Sequence, residues 1–379
     1  MLGVEETVTL EGDALAGLGE GGAGLVIVGE ETCAVGGTER VREAILERFP
    51  KARGFGFALS GSTRAGPGGR WTPYGRSGRT HHFLAPLYAR RFSRLDPGSA
   101  AVMLSLCTHG WSLGPQVPGA RHLVYACGPP PSLYPPRHEE YVRANPAAAR
   151  PLIRTARPLL RAHNRRLMSR TDRVIANSRW SADRIEAFHG RAADVIHPPV
   201  GTDFFTPHER PRSGLLMVCR LVPQKRVRVA IEAASIAGEQ LSVVGGGDWL
   251  ETFRRHAPPG VSFPGILSDE ELRERYRSAR ALICPTVEEF GIVMAEAHAC
   301  GTPVIAPAEG GALEIVDHGR TGLLVGGSDA TAFAAAIRRL GLGELDPGAC
   351  RASAERFSEH RFISGLERVL AEELEHVGR

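Results

Sequence analysis

Five times between residues 214 and 316 a short apolar run gives way to an amphipathic or small-residue stretch. "GLLMVC" precedes "VRVAIEAASIAG", "QLSVVGGGD" precedes "WLETFRRHA", and "VSFPG" precedes "DEELRERYRSA". "ALICP" then precedes "IVMAEAHAC", and "TPVIAP" precedes "GALEIV". Short runs rich in Val, Ile and Leu, separated by helical patterns, are the mark of βα units. The runs are nearly unbroken, so both faces of each strand must be buried, as in a parallel sheet covered by helices.

The front half repeats the pattern. "GLVIV" (24–28) leads through "VGGTER" into a helix reaching Phe49. "AVMLSL" (101–106), "HLVYA" (122–126) and "RVIANS" (173–178) read as further strands, the last followed by the helix "WSADRIEAFHG". Two prolines and a glycine in "IHPPVGTDFF" (196–205) interrupt both periods and predict a hinge. A chain of 379 residues also exceeds one typical core. The expectation is two doubly wound α/β domains, 1–199 and 200–357, with 358–379 a helix packing back on the first. Ligands in such sheets bind beyond the carboxyl ends of the strands, and two facing domains would hold substrate in a cleft between them. The Pro/Gly/Arg-rich stretch 60–80 predicts a mobile loop. Residues 1–24 hold Glu5, Glu6, Glu11, Asp13 and Glu20 and no basic start, which predicts a loosely attached leader rather than a secretory signal.

Composition narrows the class. No apolar run approaches the ~18 residues of a membrane helix. The seven cysteines are odd in number and form no CxxC pair, which fits reduced thiols in the cytoplasm. Cys284, His298 and Cys300 are too scattered to predict a metal site. The net charge of +4 conceals an asymmetry: residues 1–200 carry 26 Lys/Arg against 17 Asp/Glu, and the remainder 20 against 25. The stretch from Arg143 to Arg173 holds nine arginines and one acid, Asp172. Such a front half is either a solvated basic face or a surface for an anionic partner: a phosphate-bearing substrate, an anionic membrane or nucleic acid. The segment "RPLIRTARPLLRAHNRRLMSR" could lie on an anionic membrane or pack on the core, with Pro151 and Pro158 weakening one continuous helix. Nucleic-acid binding lacks aromatic interleaving in a recognised module.

Two constellations carry chemistry. In "EEFGIVMAEAHACGTPVIA" (288–306), Gly291 opens a helix whose free N–H groups and dipole suit an anion. Glu288 on the loop before it and Glu296 within it could each accept hydrogen bonds from neutral hydroxyls. Equally, both could be ordinary acids near a helix start. In "CRLVPQKR" (219–226), Arg220 ends a strand and Lys225 precedes a helix. A planar fork and a compact charge are complementary ways to hold a diphosphate, although an ordinary basic loop looks the same. "GGGD" (245–248) lacks GxGxxG spacing and reads as a tight turn beside the ligand pocket.

In order, "CRLVPQKRV", "SVVGGGDWLETF", "VSFPGILSDEEL", "CPTVEEFGIVMAEAHACGTPVIAPAEGGALEIV" and "GRTGLLV" resemble retaining glycosyltransferase family 4, whose fold is GT-B. The resemblance is strong over 214–327. It extends through 172–205, where it is similar to bacterial mannosyltransferases that build O-antigens. It implies a GT-B architecture of two Rossmann-like domains facing across a cleft. It also implies a retaining hexosyltransferase using a nucleoside-diphosphate sugar: GDP-mannose from the subgroup, or a UDP-sugar from the wider family. On this resemblance Arg220 and Lys225 bind the donor diphosphate, Glu288 the donor sugar and Glu296 the ribose. Gly291, Ile292 and Val293 offer main chain to sugar and phosphate, Gly37 admits the diphosphate, and Ile266 contacts the base. No metal or other cofactor is implied. The acceptor would be a glycan, a lipid-linked glycan or a small natural product, reached in the cytoplasm or at the inner membrane face.

One position departs from the family pattern. Where relatives carry a histidine after the strand "HLVYAC", this chain has Cys127, a weak hydrogen-bond partner. His109, at the end of a neighbouring strand, is the candidate to compensate. The alternative reading is a catalytically weakened protein that binds a sugar nucleotide. An epimerase or phosphorylase of the same fold is a further rival.

Overall fold

The computed structural model describes residues 15–30, 37–59, 71–77, 94, 96–107, 113–136, 138–143, 145–209, 211–340 and 345–377. The chain forms two compact units. One is Val200–Glu359; the other comprises the residues before it together with the final helix, Glu359–Val377, from His360 onward.

The first unit is built on seven parallel strands. They are β1 (Leu25–Glu30), β2 (Arg53–Leu59), β3 (Trp71–Ser77), β4 (Val102–Cys107), β5 (Arg121–Ala126), β6 (Arg173–Ala176) and β7 (Asp194–Val195), in the order β3-β2-β1-β4-β5-β6-β7. Leu25, Ile27, Leu104, Leu123 and Ile175 turn one face of this sheet into a core. Helix Gly37–Arg48 covers it with Val41, Ile45 and Leu46, and the final helix adds Phe362, Leu366, Val369 and Leu370. Each such side chain removed from water stabilises by roughly 1.5–3 kcal/mol. Ion pairs fasten the same helix: Arg173 meets Asp194 at 2.7 Å and Glu372 at 2.6 Å, and Arg121 Nε donates to Glu373 at 2.6 Å.

The second unit holds six parallel strands: β8 (Leu215–Val218), β9 (Leu241–Val244), β10 (Val261–Gly265), β11 (Ala281–Ile283), β12 (Val304–Pro307) and β13 (Gly322–Val325). Their order is β10-β9-β8-β11-β12-β13. Alternate residues feed two cores, one on each face. Leu216, Leu282 and Val304 enter one; Leu215, Met217, Ala281, Ile283 and Ile305 enter the other. The strand order reverses between β8 and β11, and between β1 and β4 in the first unit.

Three sequence expectations need correction. Within 60–80, residues 71–77 are strand β3, not loop; the rest of that stretch lies outside the described residues. Pro73 cannot donate to a ladder, which hid the strand, but β3 is the edge of its sheet and an edge tolerates proline. Of residues 1–24, the part from Leu15 on is attached: Leu18 is 1% exposed and packs with Leu25 and Phe49. Finally, Arg150–Met168 is one helix of 19 residues despite its two prolines. Pro151 occupies the first turn, where a missing N–H costs nothing, and Pro158 is accommodated inside.

Candidate functional site

The switch point of the second sheet dictates where to look, because crevices open where neighbouring strands send their connections to opposite sides. The segment after β8 carries Arg220 and Lys225, and the segment after β11 carries Glu288. Sixty-three residues apart in sequence, Lys225 and Glu288 meet: Nζ donates to Oε1 at 2.6 Å and to Oε2 at 2.9 Å. Burial opposes the charge on the ammonium, but the carboxylate outweighs it and holds the Lys225 pKa above the usual lysine value. Arg220 is exposed, and its guanidinium has no hydrogen-bond or ion-pair partner among the described residues. A short 3-10 turn, Pro223–Lys225, presents the lysine, followed by Arg226 in the left-handed region at φ 53°.

Glu288 is held by its neighbours. Phe290 is buried and packs edge-on against Phe357, with ring centroids 5.1 Å apart. Gly291, at φ 97°, reverses the chain into helix Ile292–Ala299, which has no side-chain cap at its N-terminus. The Gly311 N–H donates to the Glu288 carbonyl at 2.9 Å. Any Cβ at Gly311 would fall 2.1 Å from the Phe290 carbonyl oxygen, and one at Gly310 would fall 2.4 Å from that of Glu288. Those two glycines therefore let the turn after β12 press against the carboxylate-bearing loop. Sequence reasoning passed over them, although a Gly-Gly pair just beyond a buried strand is the available signal.

The "GGGD" turn is equally constrained. A Cβ at Gly245 would lie 2.0 Å from the Cys219 carbonyl oxygen, and Leu221 N donates to Gly246 O at 2.8 Å. Gly246 also faces Ile266, whose Cδ1 would stand 2.9 Å from an added Cβ. The structure thus brings Ile266, 74% exposed, onto the backbone that flanks Arg220. Cys219 and Cys284 end the two central strands, and burial pushes both thiols up to about 12, so neither is a thiolate nucleophile.

Glu296 is placed differently from Glu288. It is 2% exposed, and its Oε2 accepts the Tyr276 hydroxyl at 2.8 Å. Residues 294–299 of its helix are all buried, so a carboxylate there is an interior group held by a hydrogen bond rather than an open one. Ile292 and Val293 form the first turn, beside Gly291. Thr286, also overlooked, lies on the Glu288 segment; its hydroxyl is buried and has no hydrogen-bond partner among the described residues.

In the first unit, Gly37 starts helix Gly37–Arg48 beyond β1, and His109 lies outside the described residues. The Cys127 carbonyl, just past β5, accepts the Ser181 hydroxyl at 3.1 Å. His298 is fully buried with Nε2 3.0 Å from the Thr321 carbonyl oxygen. Among the described residues no group of three or more His, Cys, Asp or Glu is arranged to hold a metal ion, and no helix is long and apolar enough to cross a membrane.

The cation, carboxylate and helix start that converge beyond β8 and β11 all fall in one recognisable segment. Residues 212–341 match the family model of glycosyl transferases group 1. The matched segment contains all six strands of the second sheet. The chain is similar to a GDP-mannose-dependent alpha-(1-6)-phosphatidylinositol monomannoside mannosyltransferase of Mycolicibacterium smegmatis, 36% identical over 212 residues, covering 48% of this chain and 56% of that one. It is also similar to a D-inositol 3-phosphate glycosyltransferase of Geodermatophilus obscurus, 33% identical over 269 residues, covering 57% and 60%. The chain thus spans a little over half the length of these curated relatives. Among solved structures it resembles Anabaena HepE in complex with UDP and glucose, with a TM-score of 0.66 at 17% identity over 92% of this chain and 99% of that chain. Sucrose-phosphate synthase from Thermosynechococcus elongatus gives 0.59 at 19% identity over 94% and 98%. That likeness shows the fold, an α/β architecture of two units of the GT-B type.

Proposed function

We propose that the protein transfers a hexose from a nucleoside-diphosphate sugar to a hydroxyl acceptor, with retention at the transferred carbon. The observation that carries this reading is the Lys225–Glu288 pair at the switch point of the group 1 segment. The donor diphosphate would take Lys225 and Arg220 as counter-charges, beside the uncapped start of helix Ile292–Ala299. As the bond from sugar to diphosphate breaks, negative charge grows on the leaving oxygen, and fixed cations there lower the barrier. The acceptor hydroxyl attacks from the face the diphosphate leaves and passes its proton to a leaving phosphate oxygen.

Glu288, once Lys225 turns to phosphate, accepts hydrogen bonds from the sugar hydroxyls. Ile266 covers the base, and Glu296 reaches the ribose by sharing its carboxylate with Tyr276. The family resemblance adds Gly37, to admit the diphosphate, and His109, to make up for Cys127, to the residues this reading calls on. GDP-mannose is the favoured donor, supported by the relative from M. smegmatis, with a UDP-sugar as the variant to which HepE points. The same relatives favour an acceptor built on an inositol phosphate or a lipid-linked glycan.

Turnover of GDP-mannose and UDP-sugars with an acceptor panel tests the proposal. Glu288→Ala should lower kcat by about 10²–10³-fold, whereas Arg220→Ala and Lys225→Ala should raise KM for the donor and also slow the chemical step. Parental rates in all three variants would dismiss this assignment of roles.

A further inference from the structure

Among the described residues five large apolar side chains are exposed, and two of them share helix Arg150–Met168: Leu152 at 70% and Leu159 at 74%. They are seven positions apart, so they stand on one stripe of the helix. Thr155, Ala162 and Arg166 continue that stripe and are exposed as well. Leu160, Leu167 and Met168 on the inward side pack on apolar clusters of the first unit, which leaves Leu152 and Leu159 without a core to join. The outward face is apolar over its first turns and basic at its end.

The charge on this face is unbalanced. No acid occurs between Arg143 and Thr171. Glu139 offsets part of the charge of the N-terminal half by pairing with Arg154 at 2.8 Å and Arg157 at 3.3 Å. Arg165 and Arg166, both exposed, have no ion-pair or hydrogen-bond partner for their guanidinium groups among the described residues. Two leucines left in water beside two unpaired cations fit one kind of surface better than others. A nucleic acid would use the arginines and leave the leucines wet. A bilayer bearing anionic headgroups takes both, with the leucines among the upper acyl carbons and the arginines at the phosphates.

We propose that helix Arg150–Met168 docks the first unit on an anionic lipid surface, lying in its plane with Leu152 and Leu159 inserted and Arg165 and Arg166 on the headgroups. One apolar pair makes weak contact alone, so binding should require both the insertion and the charge. The inference does not depend on the transfer reaction, and its readout is separate from turnover.

Sedimentation of the full chain with phosphatidylcholine vesicles, with and without phosphatidylglycerol, is the test. The protein should pellet with the mixed vesicles, stay in solution with the neutral ones, and be released by raised salt. The double variants Leu152→Ser/Leu159→Ser and Arg165→Gln/Arg166→Gln should each cut the bound fraction at least about threefold. All four side chains are outside the core, and unchanged circular dichroism melts would show that the variants fold. Equal binding to both vesicle types, equal binding by the parent and both variants, or no binding at all would each overturn the proposal. If the variants instead weakened retention of an oligonucleotide or self-association without vesicle binding, the face would belong to that partner and not to lipid.

Discussion

At the scale of single residues, the sequence made chemical types legible but not their company. Lys225 and Glu288 stand out as candidate ligands for phosphate and sugar, yet nothing local says that they touch. Their contact depends on β8 and β11 being neighbours, which is a property of strand order. The depth of Glu296 is legible in a different way. Its surroundings, "MAEAHA", are apolar or small on every side, and a helix of that kind is buried all round. That signal places the carboxylate deeper than Glu288, where the Tyr276 hydroxyl reaches it. Thr286 makes a sharper test of the site. A buried hydroxyl without a partner destabilises, so Thr286→Val should leave stability unchanged or raise it by about 1 kcal/mol in urea unfolding. If the hydroxyl serves the donor, the same variant will raise KM for the nucleotide sugar while folding at least as well as the parent. A clear loss of stability would show instead that the hydroxyl has a structural partner.

At the scale of elements, the long apolar runs announced both central strands of each sheet, and the helices between them followed from period, with caps a signal not used. Helix Asp269–Ser278, for instance, opens with a capping box between Ser268 and Glu271. The strands that escaped notice were β2, β3, the two-residue β7 and β13. "RGFGFAL" dilutes its aromatics with glycine and is held as a strand by pairing on both sides, with β1 and β3, while "WTPYGRS" contains a proline that its place at the sheet edge tolerates. The connection after β12 shows what a close approach demands. Gly311→Ala would set a methyl against the backbone of Phe290, with no flexible side chain to yield. We expect it to lower stability by about 1–3 kcal/mol. It should lower turnover as well, because the displaced loop carries Glu288. Urea titration and donor turnover on one preparation check both, and a fully stable, fully active Gly311→Ala would refute the packing argument.

At the scale of the whole molecule, each unit contains a histidine that folding keeps neutral, fully buried His298 and half-buried His189. Burial lowers the pKa of His298 to about 4, and burial with the nearby Arg165 does the same for His189. Above about pH 6.5 both are neutral whether the chain is folded or not. Below that, the unfolded chain takes up protons that the folded chain refuses, so stability falls as pH drops from 6.5 toward 4. The loss is on the order of 3 kcal/mol for each histidine. Unfolding by urea at steps across that window should show it, and His298→Gln, which cannot titrate, should flatten the slope for the second unit. The return of the final helix has a different consequence. Val200 N donates to the Phe357 carbonyl at 2.9 Å, so the chain enters and leaves the second unit side by side, while Phe362, Leu366, Val369 and Leu370 complete a core begun by Leu18 and Leu25. During synthesis, then, the first unit lacks part of its core until the final helix has been made. The middle of the chain can settle on the ribosome while the front half, with only helix Gly37–Arg48 over this core, waits for a helix some three hundred codons downstream.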